Sequence, residues 1–414
     1  MHLPQFGSAS VVWIIVACIA AAGTLTSTVF LGLVVFAARR YRRRSRLLQA
    51  TANGVQTSQL PKVAVLKPVH GLEPRMEENL ESFFRQDYPD FEIIFGTRTP
   101  EDPALMAVER LCSKYPEVSV KVIYSGEPQW PNAKVFSLEK MIGSTSCDYL
   151  VISDSDVLVQ PDFLRNVVSP LLNPENGLVT CLYRGIPVKS FWSEVEAIGM
   201  SVEMPSGVMV ADMLEGMKFA LGAVMAVRRD ALEKIGGIGA TADYYSDDFV
   251  LGNLIHAAGY KVVLSHHKVG HVLTADSFAG TFAAQLRWAK STRYSRPSGH
   301  VGEGLTYATP FGLLAMLSLT ALGHPVMGLA LLAWSIANRT VQALVVGGTI
   351  IHDPQVLKFW LYPLRDFVGF PVWAGSFLGG SSFTWRGEVY QFTRGGRIVP
   401  ATRKIVLPEE LRHR

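Results

Sequence analysis

Tyr149-Leu150-Val151-Ile152-Ser153-Asp154-Ser155-Asp156 joins a run of apolar, β-prone residues to two carboxylates one residue apart. Four such residues in a row, two of them β-branched, suit a strand buried on both faces. Two carboxylates at i and i+2 just past that strand can share a hard divalent cation through oxygen ligands. Mg²⁺ or Mn²⁺ held by Asp154 and Asp156 would in turn bind a diphosphate. Acidic pairs also cap many loops, so the D-x-D pattern means little alone. Its position gives it weight, because an ordinary turn needs no second carboxylate.

Working outward, strands and helices alternate from about Lys62 to Gly280. Val63-Ala64-Val65-Leu66, Glu92-Ile93-Ile94-Phe95 and Val118 to Ile123 read as three further strands. Between them Met76/Leu80/Phe83/Phe84, Leu105/Val108/Leu111/Cys112 and Val135/Leu138/Met141/Ile142 each fall on one helical face. This spacing predicts an α/β domain with a mostly parallel sheet and helices on both faces. Ligands of such sheets bind beyond the carboxyl ends of the strands. The residues there are the candidates for chemistry.

The second strand leads to Glu101-Asp102-Pro103, where Asp102 is either a ligand contact or a helix cap. Further on, Ser246-Asp247-Asp248 precedes a helix from Phe249 to Ala258. Helix capping explains Asp247 alone but explains two adjacent acids poorly. Their mutual repulsion would raise one pKa toward the range of a general base. Gln285-Leu286-Arg287-Trp288, with Lys290 and Arg293, places cations and an indole on one helix. That is either a solvated basic face at the interface or a functional one.

The 414 residues are 49% hydrophobic and only 18% charged, with a mean hydropathy of +0.22. Soluble domains carry about 25% charge, so neither a disordered nor a wholly soluble chain fits. The surplus lies at the ends. Val11 to Ala38 holds no charged residue, enough to cross a hydrocarbon core of ~30 Å. Six arginines between Arg39 and Arg46 follow, which places that side in the cytoplasm as a retained anchor rather than a signal peptide. They exceed the net charge of +4, so the basic balance is an orientation signal and not a nucleic-acid surface.

Toward the C-terminus, Phe311–Gly323, Val326–Ile351 and Phe359–Leu378 are apolar again. The first suits an interfacial or re-entrant helix better than a full span. The last contains Arg365 and Asp366, which would pair with one another or face a cavity. From Phe383 onward seven Lys/Arg face three Glu, which favours a cytoplasmic tail and an even number of crossings. The expected layout is an outer N-terminus (1–10), an anchor (11–38), a basic linker (39–61), a catalytic domain (62–300), membrane-embedded or interfacial helices (301–382) and a basic tail (383–414). Four scattered cysteines without a C-x-x-C pair read as reduced thiols.

Several short motifs occur together: Leu66-Lys67-Pro68-Val69-His70-Gly71, Gln86-Asp87-Tyr88-Pro89, Glu101-Asp102-Pro103, Asn132-Ala133-Lys134, Ser153-Asp154-Ser155-Asp156, Gly177-Leu178-Val179, Arg228-Arg229-Asp230-Ala231-Leu232, Gly236-Gly237, Ser246-Asp247-Asp248 and Arg287-Trp288. In this order and spacing the chain resembles the ceramide glucosyltransferase family (glycosyltransferase family 21, related to family 2) and the bacterial hopanoid-biosynthesis glycosyltransferases. The resemblance covers roughly residues 60 to 300 and the layout of the apolar ends. It implies a Rossmann-like GT-A fold, dependence on a divalent cation (Mg²⁺ or Mn²⁺) and inversion at the anomeric carbon.

Matched residue by residue, Asp102 falls near the nucleotide, Asp154 with Asp156 at the metal and diphosphate, and Asp248 at the general base, with Asp247 beside it. Lys67, Pro68 and Lys134 would line the donor pocket, and Arg287 and Trp288 the diphosphate and acceptor side. The family's Q/R-x-x-R-W motif is matched only at Arg287 and Trp288, since Ala284 holds its first position and Gln285 stands one residue late.

The resemblance implies transfer of one hexose from a UDP-sugar to the hydroxyl of a membrane lipid, ceramide or a hopanoid, at a bacterial inner membrane. Glucose and N-acetylglucosamine both remain open as the sugar, and diacylglycerol as an acceptor. A processive polysaccharide synthase would share the acidic residues but needs a wide channel. A non-catalytic membrane scaffold would release no UDP.

Overall fold

The computed structural model describes residues 8–188, 190–274, 277–385 and 388–401. In chain order the main strands are β1 (Val63–Pro68), β2 (Phe91–Thr97), β3 (Ser119–Tyr124), β4 (Tyr149–Ser153), β5 (Val157–Leu158), β6 (Asn176–Pro187), β7 (Val224–Arg228) and β8 (Lys261–Leu273). They form one sheet in the order β3-β2-β1-β4-β7-β6-β8-β5. The block β3-β2-β1-β4 is parallel throughout, and β6 runs parallel to β8. β7 runs antiparallel to both neighbours, and β5 antiparallel to β8. The expected α/β architecture with a mostly parallel sheet is therefore present.

Successive residues of the central strands enter two different cores, as a two-residue period requires. Ala64, Leu66, Ile94, Leu150 and Ile152 pack on one side, against Val135, Leu138 and Met141 of the helix Ala133–Gly143. Val63, Val65, Ile93, Phe95 and Val151 pack on the other, against Leu80 and Phe83 of Met76–Phe84 and Val108 and Leu111 of Leu105–Lys114. Gly96 lets the first of these helices approach, because a Cβ there would lie 2.4 Å from the Met141 sulfur.

The first helix runs unbroken from Ser8 to Gly54. The basic stretch expected as a linker is thus helical through all six arginines. Arginine is a good helix former, and this part of the helix is held by the catalytic domain. Tyr41 lies in the same core as the sheet, its hydroxyl donates to the Ser265 carbonyl at 2.7 Å, and Arg44 pairs with Asp212 at 3.2 Å.

Two described helices, Ser10–Gly54 and Pro325–Ile351, are long and apolar enough to cross a membrane. A third span arises only if Pro297–Gly304 and Thr309–Ala321, bent by 44°, act as one. The two long helices are stitched together by polar contacts. Trp334 Nε1 donates to Thr28 Oγ1 at 2.9 Å and Asn338 Nδ2 to the Ser27 carbonyl at 3.2 Å.

Arg365 and Asp366 do not pair with one another. Asp366 takes Arg339 Nε at 2.8 Å, and Arg365 takes Glu203 at 3.0 Å. Adjacent helical residues point about 100° apart, so each meets a different neighbour. The segment expected as a tail is also folded as far as it is described. Strands β9 (Ser382–Trp385), β10 (Glu388–Phe392) and β11 (Ile398–Pro400) form an antiparallel sheet. It closes over Tyr245, whose ring meets Phe383, Trp385 and Phe392 edge-on. The remainder of that tail (402–414) and the first residues of the expected outer N-terminus (1–7) lie outside the described residues. All four cysteines are free thiols.

Candidate active site

The carboxyl ends of β1, β2 and β4 open into a cavity of about 1150 Å³. Asp154 follows β4 directly, and its backbone N–H donates to the Ala223 carbonyl at 3.3 Å, fixing where the chain leaves the sheet. Lys134 comes from the first turn of the helix Ala133–Gly143. Asn132 caps that helix by accepting from the backbone N–H groups of Lys134 and Val135, at 3.1 and 3.2 Å. The Lys134 ammonium then lies 2.6 Å from Asp154 Oδ1 and 3.9 Å from Asp247 Oδ2. Burial alone would pull its pKa down, but Asp154 and Asp247 outweigh burial and hold it above the ordinary lysine value. It stays charged at any physiological pH.

Asp247 and Asp248 open the helix Asp247–Ala257. Asp247 Oδ1 accepts from Asn132 Nδ2 at 3.3 Å, while its Oδ2 is buried without a hydrogen-bond partner. Asp248 Oδ1 accepts from the Phe249 N–H at 2.7 Å. Gly222 makes room for the other oxygen, since a Cβ there would fall 2.9 Å from it. Burial, reinforced by the neighbouring Asp247 charge, raises the Asp248 carboxyl to about 7. Asp247 is also raised, by burial first, with Lys134 pulling the other way. The pair thus contains one carboxylate tied to a lysine and one poised to exchange a proton near neutrality.

Asp156 lies where β5 meets β8, and the register sets Val157 opposite His271. Asp156 Oδ1 is 3.6 Å from His271 Nδ1, and neither atom has a hydrogen-bond partner. The imidazole stacks on Tyr183, with centroids 5.7 Å apart and planes 12° from parallel. A divalent cation fits this pair, because a carboxylate oxygen and an imidazole nitrogen face each other with lone pairs unused. Among the described residues no set of three His, Cys, Asp or Glu side chains converges, so further ligands would have to come from substrate or water. His271 carries no signal in the sequence that sets it apart from His266 and His267, two of its neighbours on β8. Only the strand register selects it.

Eight of the ten residues singled out from the sequence line the same cavity: Pro68, Lys134, Asp154, Asp156, Asp247, Asp248, Arg287 and Trp288. Arg287 Nε donates to the Tyr245 hydroxyl at 2.9 Å, so the small C-terminal sheet that packs around Tyr245 also positions the guanidinium. The other two stand behind the wall. Lys67 is fully buried. Its ammonium donates to the Asp154 carbonyl and to Ser153 Oγ and lies over the Phe83 ring; burial lowers it to about 7. Asp102 accepts from the Gly71 and Ala104 N–H groups at 2.9 and 3.0 Å and meets His70 Nδ1 at 3.0 Å. It ties the loop past β1 to the loop past β2, and His70 rather than Asp102 faces the cavity. Gln285, one residue out of step with the family motif, is buried and does line the cavity.

The description of glycosyl transferase family 21 matches residues 6–398, nearly the whole chain. The chain belongs to glycosyl transferase family 21. It is a glycosyltransferase. Ceramide glucosyltransferase 1 of Caenorhabditis elegans is 25% identical to this family 21 member over 356 residues, 84% of this chain and 76% of that protein. The ceramide glucosyltransferase of Komagataella phaffii is 36% identical over 117 residues, 27% of this chain and 23% of that one. Among solved structures, the mannosyltransferase PcManGT from Pyrobaculum calidifontis, in complex with GDP-Man and Mn²⁺, aligns over 87% of this chain and 99% of its own, at a TM-score of 0.46 and 19% identity.

Proposed function

We propose that this chain transfers one hexose from a UDP-sugar to the hydroxyl of a membrane lipid, with inversion at the anomeric carbon. The observation that carries the reading is the reach of the cavity. Its walls include Asp154 at a strand end and Asp248 at a helix start, Phe30 on the first apolar helix, and Arg339 and Tyr362 among the C-terminal helices. A lipid hydroxyl can therefore meet a nucleotide sugar without its acyl chains entering water, which would cost ~0.8 kcal/mol per CH₂.

The donor diphosphate would lie against Lys134 and Arg287, with Asp156 and His271 holding the divalent cation; Asp154, expected to share that cation with Asp156, is engaged by Lys134 at 2.6 Å. When bound, Mg²⁺ or Mn²⁺ supplies positive charge that offsets the charge developing on the departing UDP. Asp248 takes the proton of the acceptor hydroxyl as its oxygen bonds to the anomeric carbon and the bond from that carbon to UDP breaks. Asp247, paired with Lys134, keeps the neighbouring charge in place. Lys67 and Asp102 act from behind as positioning residues, one through Asp154 and the other through His70. The names of the relatives favour ceramide as acceptor and glucose as the sugar. On the same reading the protein is a multi-pass membrane protein whose catalytic domain faces the cytoplasm.

The test is the full chain in vesicles given UDP-glucose and ceramide, with products read by mass spectrometry. A lipid bearing a single hexose, lost on chelation and restored by Mn²⁺ or Mg²⁺, is expected. Oligosaccharide products would favour a processive synthase, and absence of UDP release with every lipid hydroxyl offered would sink the reading.

A further inference from the structure

A second cavity, of about 530 Å³, lies apart from the catalytic one and is lined by a different set of residues. It forms where three elements meet. The first helix contributes Arg42 and Arg46, just past its apolar stretch. Strands β6 and β8 contribute Arg184, His266, His267 and Lys268. The end of the second long apolar helix closes it with Thr349 to Ile351 and the following His352. The helix ends fix its depth. On the multi-pass reading proposed above, both candidate spans would leave the hydrocarbon here, and the cavity would open at the level of the lipid head groups, in the leaflet that faces the catalytic domain.

Its charge is one-sided. Arg42, Arg46, Arg184 and Lys268 contribute four cations, and Asp162 is the one acidic group in the lining among the described residues. Asp162 accepts from Asn166 Nδ2 at 2.8 Å through one oxygen, and its other oxygen stands 3.7 Å from His267 Nδ1. None of the four cations is ion-paired among the described residues. Arg44, by contrast, points to Asp212 on the other side of the same helix. The two imidazoles are more than nine-tenths buried, and His266 Nδ1 and His267 Nε2 have no hydrogen-bond partner. Asn166 Nδ2 donates to His267 Nδ1 at 3.2 Å, which leaves the proton of this ring on Nε2, available to an acceptor. Burial lowers His267 to about 4 and also lowers His266. Both are therefore neutral near pH 7 and add hydrogen-bonding capacity rather than charge. Unpaired cations in a partly closed cavity, beside a buried imidazole N–H without an acceptor, call for an anion.

We propose that this cavity binds the phosphate of an anionic phospholipid from the surrounding leaflet. The inference does not depend on the identity of the acceptor or on the catalytic residues. Phosphate fits because the two non-bridging oxygens of the diester can accept from Arg and Lys donors together. A lipid source fits because the cavity sits between two membrane-crossing helices at head-group depth, where basic pockets meet anionic head groups. The bound lipid would tie the catalytic domain to the membrane surface through the Arg42–Arg46 turn.

The experiment uses the full chain in nanodiscs of phosphatidylcholine, with or without phosphatidylglycerol, and counts the lipids retained on release by native mass spectrometry. Phosphatidylglycerol is expected to be retained over phosphatidylcholine and to raise the thermal midpoint. Replacing Arg42→Gln and Arg184→Gln should weaken retention by roughly fivefold per charge removed, and Arg184→Lys should keep it. Equal retention of the two lipids by the unmodified chain would overturn the proposal without any variant. So would undiminished retention by the double variant. Inorganic phosphate added to phosphatidylcholine discs forms the last arm. A midpoint rise with phosphate alone, absent with phosphatidylglycerol, would replace the lipid by a soluble phosphate and overturn the lipid assignment.

Discussion

Both ends of the catalytic cavity are lined by buried charge, and they differ in whether that charge is satisfied. At the end enclosed by the C-terminal helices, Asp366 accepts from Arg339 Nε at 2.8 Å and from the N–H groups of Ala308 and Thr309 at 2.9 and 2.8 Å. It thereby caps the helix Thr309–Ala321 from below. The other Arg339 nitrogens reach Gln342 and the Thr306 carbonyl. At the strand end, Asp156 Oδ1, His271 Nδ1 and Asp247 Oδ2 are buried with no hydrogen-bond partner. A closed network specifies structure, whereas an open one stands ready for a ligand. Arg365 marks the crossover between the two. One of its nitrogens pairs with Glu203, while Nε and Nη1 are buried without a hydrogen-bond partner.

The comparison breaks most readily at Asp248. On the proposed mechanism Asp248→Asn removes the proton acceptor and nothing that holds the fold. Turnover should fall by roughly 10²–10⁴ or more, while membrane insertion and the thermal midpoint persist. A variant that keeps near-normal turnover would move the base elsewhere. The opposite pattern is expected at Asp366→Ala. It leaves Arg339, only 2% exposed, without its counter-charge, and uncaps a helix, at a cost of about 3–5 kcal/mol. That loss should appear first as a lower thermal midpoint in detergent. A midpoint unchanged by Asp366→Ala would mean that the closed network is not structural after all.

How much of this contrast could be read from the sequence depends on how far apart the partners lie. The acidic strand ends were legible because residue type and position coincide: Asp154 follows an apolar strand, and Asp247-Asp248 precede a helix. Lys134 is legible only through the family motifs, whereas Arg287 also stands out as a cation beside an indole on one helix. His271 was not legible, because only the β5–β8 register picks it from among the histidines of one strand. Arg339 and Asp366 were beyond reach for another reason. The sequence offers Asp366 a neighbour, Arg365, and only packing reveals that the true partner comes from a different helix. The folded C-terminal sheet escaped as well. Its basic composition outweighed the alternating Phe383, Trp385, Tyr390 and Phe392, whose rings cluster on Tyr245 and on one another.

A pH profile sharpens the comparison on the open side. With Asp248 raised to about 7, the active carboxylate is lost as pH falls through that value. The acid limb of kcat/KM should therefore have its midpoint near 7 rather than in the ordinary carboxylate range. Burial is the larger cause and Asp247 the second. Asp247→Asn removes the repulsion and one of the two counter-charges of Lys134, and both losses favour the Asp248 carboxylate. The burial remains, so the limb should move to lower pH without reaching the ordinary range. A limb that stays fixed in Asp247→Asn would show that the two carboxyls do not titrate against one another.

The smallest effect is expected where the open site leans on the closed scaffold, at Tyr245. Its hydroxyl accepts from Arg287 Nε, while its ring is clasped by the C-terminal sheet. Tyr245→Phe keeps the ring and its packing and frees only the guanidinium. A hydrogen bond to a charged group is worth about 1.5–3 kcal/mol, but Arg287 borders an open, solvated cavity, so roughly tenfold or less is expected. If Arg287 stabilises charge on the departing diphosphate, the loss should fall on kcat with KM for the UDP-sugar little changed. If it only anchors the ground-state diphosphate, KM should rise instead and kcat hold. Neither change would mean that Tyr245 belongs wholly to the scaffold and that Arg287 finds its place without it.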